Sequence, residues 1–185
     1  MISLDSLTDA LTEGDWYAAR QSFTAFGLAV PSLPSPELTY PDLSLALVDF
    51  FNFYQIELQR ALAAGQTNRA IFACNQLERI VWDLGVHLNR PPLPELGRLH
   101  YLGRDLEYWA RVGDEEMLRI GAQGLTKTWA DLRPVLTDRA QQVAEEMDSL
   151  LLRLKRGNSV EEYQEVAASM GPVMRRIERL FADIK

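Results

Sequence analysis

Apolar residues recur at spacings of three and four along almost the whole chain, and no stretch alternates with a period of two. Leu4, Leu7 and Leu11 share one helical face, and Trp16, Ala19, Phe23 and Phe26 form a second stripe just after it. Four glycines interrupt such runs, at Thr12-Glu13-Gly14-Asp15, Ala63-Ala64-Gly65-Gln66, Arg111-Val112-Gly113-Asp114 and Lys155-Arg156-Gly157-Asn158. Glycine takes the positive φ that ends a helix, and a polar side chain just after it can accept from the first free amides of the next helix. The glycines lie 51, 48 and 44 residues apart, which predicts antiparallel helical hairpins with tight turns. The expected fold class is all-α, a helical bundle of stacked αα-hairpins with about seven to eight helices.

Proline divides the chain further. Pro31, Pro34, Pro36 and Pro41 fall within eleven residues, where fixed φ and missing donors stop a helix or a central strand. The expected organisation is an N-terminal helical hairpin over 1–30, a Pro-rich linker over 31–41 and a main helical bundle over 42–185. Apolar stripes in both arms of the first hairpin favour its packing back onto that bundle. A helix capped by Asp42 or Ser44 runs to Ala64 and is apolar on most of its circumference, leaving only Asp49, Asn52, Gln55 and Gln59 as a polar strip. Such a helix is expected to be central and covered on several sides. Next comes a helix from about Thr67 to Val86, with Ile71, Cys74, Leu77, Val81 and Leu84 or Leu88 inward, stopped by the prolines of 89–94.

Beyond that stop, Leu99, Leu102, Leu106 and Trp109 mark the core side of a helix over 95–112. Asp114 caps a fifth helix, whose stripe is Met117, Leu118, Ala122, Leu125 and Trp129, and Pro134 stops or kinks it. A sixth begins at Thr137 or Asp138 and buries Val143, Met147, Leu150, Leu151 and Leu154. Ser159 and Glu162 form a capping box for the last helix, which buries Tyr163, Val166, Met170, Met174, Ile177 and Phe181 and is expected to kink at Gly171-Pro172.

Gly14-Asp15-Trp16, followed by Ala19, Phe23 and Pro31, resembles a tetratricopeptide turn and its second helix. The likeness covers one turn. Later hairpins keep only the glycine and a residue five positions on (Ala70, Leu118), and their spacing exceeds the period of about 34 residues in that family. The resemblance therefore implies a similar turn geometry.

Net charge is −7, with a pI near 4.9, and this opposes binding a polyanion or an anionic membrane by bulk charge. The denser basic stretches, Arg153-Lys155-Arg156 and Arg175-Arg176-Arg179, have acidic residues nearby and read as solvated helix faces. A single cysteine, Cys74, excludes an intrachain disulfide and sits in an apolar run, as a small buried hydrophobe would. The first residues lack a basic segment followed by an apolar one, and Leu43 to Leu62 is too polar to span a bilayer, so a soluble cytoplasmic protein is expected.

Candidate chemistry is sparse. His87 and His100 are the two histidines; Asp83 lies one helical turn before His87, and Glu95 precedes His100. Folded back at the proline turn, these four could offer imidazole and carboxylate ligands to a divalent ion. Glu-x-x-His, His-Glu-x-x-His, Cys-x-x-Cys, Walker A, Gly-x-Gly-x-x-Gly and Gly-x-Ser-x-Gly motifs are absent, so no catalytic residue or cofactor is indicated. Gly121 and Gly124 read as small residues that allow close helix packing. The richest surface is the stripe Tyr101, Arg104, Tyr108 and Arg111, residue types enriched at binding hot spots. The functional expectation is a cytoplasmic interaction module, adaptor or regulatory protein, that binds a protein partner or a second copy of itself through this face. A metal- or small-ligand-binding bundle is the alternative.

Overall fold

A computed structural model of the chain describes residues 4–29, 45–87, 94–136, 140–157 and 159–182. The linker 31–41, most of the second proline stop and the start of the sixth helix at Thr137 or Asp138 lie outside the described residues. Within those residues every element is helical: α1 (Leu4–Glu13), α2 (Trp16–Ala29), α3 (Leu45–Ala64), α4 (Thr67–His87), α5 (Pro94–Val112), α6 (Glu115–Leu132), a 3-10 turn (Arg133–Val135), α7 (Gln141–Arg156) and α8 (Val160–Ala182). The fold is an all-α helical bundle of packed helix pairs.

Three of the four glycine turns share one construction. Gly14, Gly65 and Gly113 have φ of 78°, 67° and 80°. The residue after each donates back to the last full turn, with Asp15 N to the Ala10 carbonyl at 2.8 Å, Gln66 N to Ala61 at 2.9 Å and Asp114 N to Trp109 at 3.1 Å. These bonds satisfy carbonyls that a helix end leaves orphaned. Asp15 and Asp114 then turn their carboxylates to the next helix, accepting from Ala18 N at 2.9 Å and Met117 N at 3.0 Å. One residue thus closes one helix and opens the next. Gly157 differs: its φ of −61° and ψ of 133° are extended backbone open to any residue, and Ser159 Oγ accepts from Glu162 N at 3.3 Å to cap α8. Pro134 ends α6 as expected, since the helix closes at Leu132 into the short 3-10 turn.

The chain forms two compact units, Met1–Asn89 and Arg90–Lys185. In the first, α1 pairs with α2, α3 pairs with α4, and α1 also packs along α4. Leu4, Leu7 and Leu11 are buried in this unit, as are Ile71, Cys74, Leu77 and Ile80 of α4. Thr8 Oγ1 lies 3.2 Å from both the Leu4 carbonyl and Cys74 Sγ, joining the two helices through a buried polar contact. Cys74 is buried and, as the one cysteine of the sequence, forms no intrachain disulfide. Burial of each such leucine stabilises by about 1.5–3 kcal/mol.

Helix α3 is not covered on several sides. Its neighbour α4 shields one flank, where Phe51, Leu58, Ala61 and Leu62 are buried and Phe26 of α2 approaches Phe51 with ring centroids 6.1 Å apart. On the opposite flank Phe50, Phe53 and Ile56 remain 55%, 54% and 48% exposed. A helix rich in apolar residues is normally central, but here a single principal packing partner leaves its far side uncovered.

In the second unit α5 packs against α6 and α8, and α8 also packs against α7. The core draws on every helix of the unit, including Leu99, Leu106, Leu118, Leu125, Met147, Leu154, Met170 and Ile177. Leu102 and Trp109 are only partly buried, at its margin. Glycines set two close approaches. A Cβ on Gly103 would stand 2.2 Å from Met174 Cε, and one on Gly124 would stand 3.3 Å from Leu102 Cδ2. Gly121 is looser, at 3.6 Å from Leu106. Helix α8 continues through Pro172, which occupies an exposed position.

Candidate functional site

Helix α5 turns Leu96, Leu99, Leu106 and Ala110 inward, and this fixes where its other side chains go. With about 100° per residue, Tyr101, Arg104, Tyr108 and Arg111 fall on a stripe beside the buried one. The first three are half-buried and Arg111 is exposed. Gln164 Nε2 of α8 donates to the Ala110 carbonyl at 2.8 Å, satisfying a helix-end acceptor next to Arg111.

The stripe is held by specific neighbours. Tyr108 meets Trp109 edge-to-face, with centroids 4.7 Å apart and planes at 76°. Burial, and then the nearby Asp105 carboxylate, push the Tyr108 phenol above its ordinary pKa, so it stays a neutral hydrogen-bonding group. Arg104 Nε donates to His100 Nε2 at 3.2 Å, and His100 Nδ1 lies 2.5 Å from Glu178 Oε1 on α8. Arginine keeps its proton, so Nε2 accepts in the Arg104 contact, while Nδ1 faces the Glu178 carboxylate. This chain ties α5 to α8 through two ring nitrogens.

His100 is buried, where α5 turns it toward Glu178. An ion bound at this ring would have to displace Arg104 from Nε2 or Glu178 from Nδ1. Of the other candidate ligands, Glu95 is half-buried near the start of α5. Asp83 pairs with Arg79 one turn away at 3.8 Å. His87 ends α4, and its side chain lies outside the described residues. Asp83 and His87 belong to the first unit, Glu95 and His100 to the second.

Sequence reasoning missed Glu178, which stands 78 residues from His100 and carries no spacing signal. It also missed the exposed flank of α3, where the apolar pattern pointed to burial. Both basic stretches have local acidic partners: Arg153 pairs with Glu165 at 3.4 Å, and Arg176 with Glu146. Among the described residues no helix is long and apolar enough to cross a membrane. Comparison with known proteins returns no match to a family model, a curated protein or a solved structure.

Proposed function

We propose that this chain is a cytoplasmic interaction module, an adaptor or regulator, that engages a protein partner through the Tyr101, Arg104, Tyr108 and Arg111 face of α5. The observation that supports the reading is order combined with partial exposure. Tyr108 is braced by Trp109, Arg104 is braced by the His100–Glu178 pair, and all four stripe residues retain accessible surface. Side chains already fixed in one rotamer lose little freedom on binding, so more of their contact energy appears as affinity. Tyrosine and arginine add large contact area with hydrogen-bonding ends. The net charge of −7 supports a protein rather than a nucleic acid as partner.

The test is affinity purification from the native host, cross-linking of the co-purified protein, and titration of the purified pair. Tyr101→Ala with Arg111→Glu should weaken the complex roughly 30-fold or more, the loss of about 2 kcal/mol expected at a hot spot. Circular dichroism should be unchanged. Full affinity in this variant, or cross-links that avoid 101–111, would remove α5 as the binding face.

A further inference from the structure

The exposed flank of α3 has an order of its own. Ala46, Asp49, Phe53, Ile56, Arg60 and Ala63 are all exposed and follow one another at spacings of three, four, three, four and three. That is the heptad seam of a helix packed against another helix. The chemistry along it runs small, acidic, apolar, apolar, basic, small. Reversing the helix gives the same series with the charges exchanged, so the strip is complementary to itself when antiparallel.

We propose that α3 is a self-association seam that packs antiparallel on α3 of a second copy of this chain, about a two-fold axis between Tyr54 and Gln55. In that register seam residues whose numbers sum to 109 face each other. Phe53 lies against the partner's Ile56, Asp49 against the partner's Arg60, and Ala46 against the partner's Ala63. The symmetry repeats each contact, so the two apolar layers sit centrally, a charge pair flanks them on each side, and alanines close both ends. Small ends allow the helices to approach closely, and a two-fold interface needs self-complementarity of this kind. Asn52 then lies beside the partner's Gln59, where the two amides can exchange hydrogen bonds.

Three features support a second copy as the occupant. The Arg60 side chain is 70% exposed and bonded to Glu57 at 3.1 Å, while Arg69 holds the same Glu57 carboxylate. Arg60 can therefore turn outward without leaving Glu57 uncompensated. Phe53 and Ile56 give the seam an apolar centre that water otherwise covers, and Phe50 is exposed beside it. The helix is already folded by its packing on α4, so association carries no helix-nucleation cost. The opposed charges fix direction, because a parallel arrangement would set Asp49 against Asp49 and Arg60 against Arg60.

The experiment is a charge swap read by sedimentation equilibrium of the full chain at low salt. The native protein should form dimers at concentrations up to the order of 100 µM, the range of a modest interface. Asp49→Arg alone and Arg60→Asp alone should each sediment as monomers with unchanged helicity, because each sets like charges together twice. Two recoveries identify the seam. Asp49→Arg/Arg60→Asp in one chain should restore the homodimer, and an equimolar mixture of the two single variants should yield the heterodimer. A native chain that stays monomeric over this range overturns the proposal. So does a dimer that survives both single substitutions, or single variants that fail to recover in the mixture. The proposal does not depend on the α5 face, whose Tyr101→Ala and Arg111→Glu substitutions should leave the dimer intact.

Discussion

Gly103→Ala probes the contact that places the candidate face. The new Cβ would stand 2.2 Å from Met174 Cε and 3.0 Å from its Sδ, well inside the spacing of about 3.5–4.0 Å at which carbon atoms attract. Two effects oppose each other. Alanine in a helix interior is favoured over glycine by about 1 kcal/mol. Overpacking a filled core costs about 1–3 kcal/mol. The thioether end of Met174 is flexible, but the residue is only 4% exposed and belongs to the core cluster, so the shift it must make is into surroundings that are already filled. The clash should win, with a net loss of up to about 2 kcal/mol. Met174→Ala removes the obstacle at a cost of about 2–5 kcal/mol of its own. In that background Gly103→Ala should instead stabilise by about 1 kcal/mol, because the propensity gain remains and the new methyl fills part of the cavity. Urea unfolding of the four proteins, followed by circular dichroism, gives the double-mutant cycle. The sign of the Gly103→Ala effect should reverse between the two backgrounds. If alanine stabilises both equally, the thioether yields freely, and this contact does not set the α5–α8 spacing.

Three further outcomes concern the turns and the ion pairs. Alanine at Gly14, Gly65 or Gly113 should lower the unfolding temperature through a loss of about 1–2 kcal/mol, since a Cβ would meet nothing within 4 Å and the positive φ alone is at fault. At Gly157 alanine should raise it by about 0.4–1 kcal/mol of stability, because that backbone is extended and the nearest atom to the new Cβ is 3.4 Å away. Acid unfolding tests the pairs. The Arg69 hydrogen bond holds the Glu57 carboxyl below its ordinary value, and the Arg176 hydrogen bond does the same for Glu146. A carboxyl lowered in the folded state contributes stability above the unfolded pKa, near 4.3, and loses it as pH falls through the folded value. The variant Glu57→Gln/Glu146→Gln should therefore show a shallower fall in stability between about pH 5 and 3, and added salt should narrow its difference from the native chain.

What the sequence determined by itself was local. Spacings of three and four fixed helices, and Gly-Asp at 14–15 and 113–114 fixed turns in which one residue ends a helix and its neighbour starts the next. Leu99, Leu106, Leu118, Leu125 and Met147 were legible as core because a helix with one apolar stripe has one face to bury. Gly157 shows the limit of that reading: it carries the same letter as the other three, yet its backbone is extended. Only tertiary structure decided which apolar surfaces found partners. The α3 pattern indicated cover on several sides, but α4 covers one flank, and Phe50, Phe53 and Ile56 are left outside. Tertiary packing likewise brought Glu178 to His100 and thereby braced Arg104, a pairing between residues 78 positions apart. Periodicity describes how a helix is sided. The number and placement of its neighbours depend on long-range packing, which no single segment of sequence encodes.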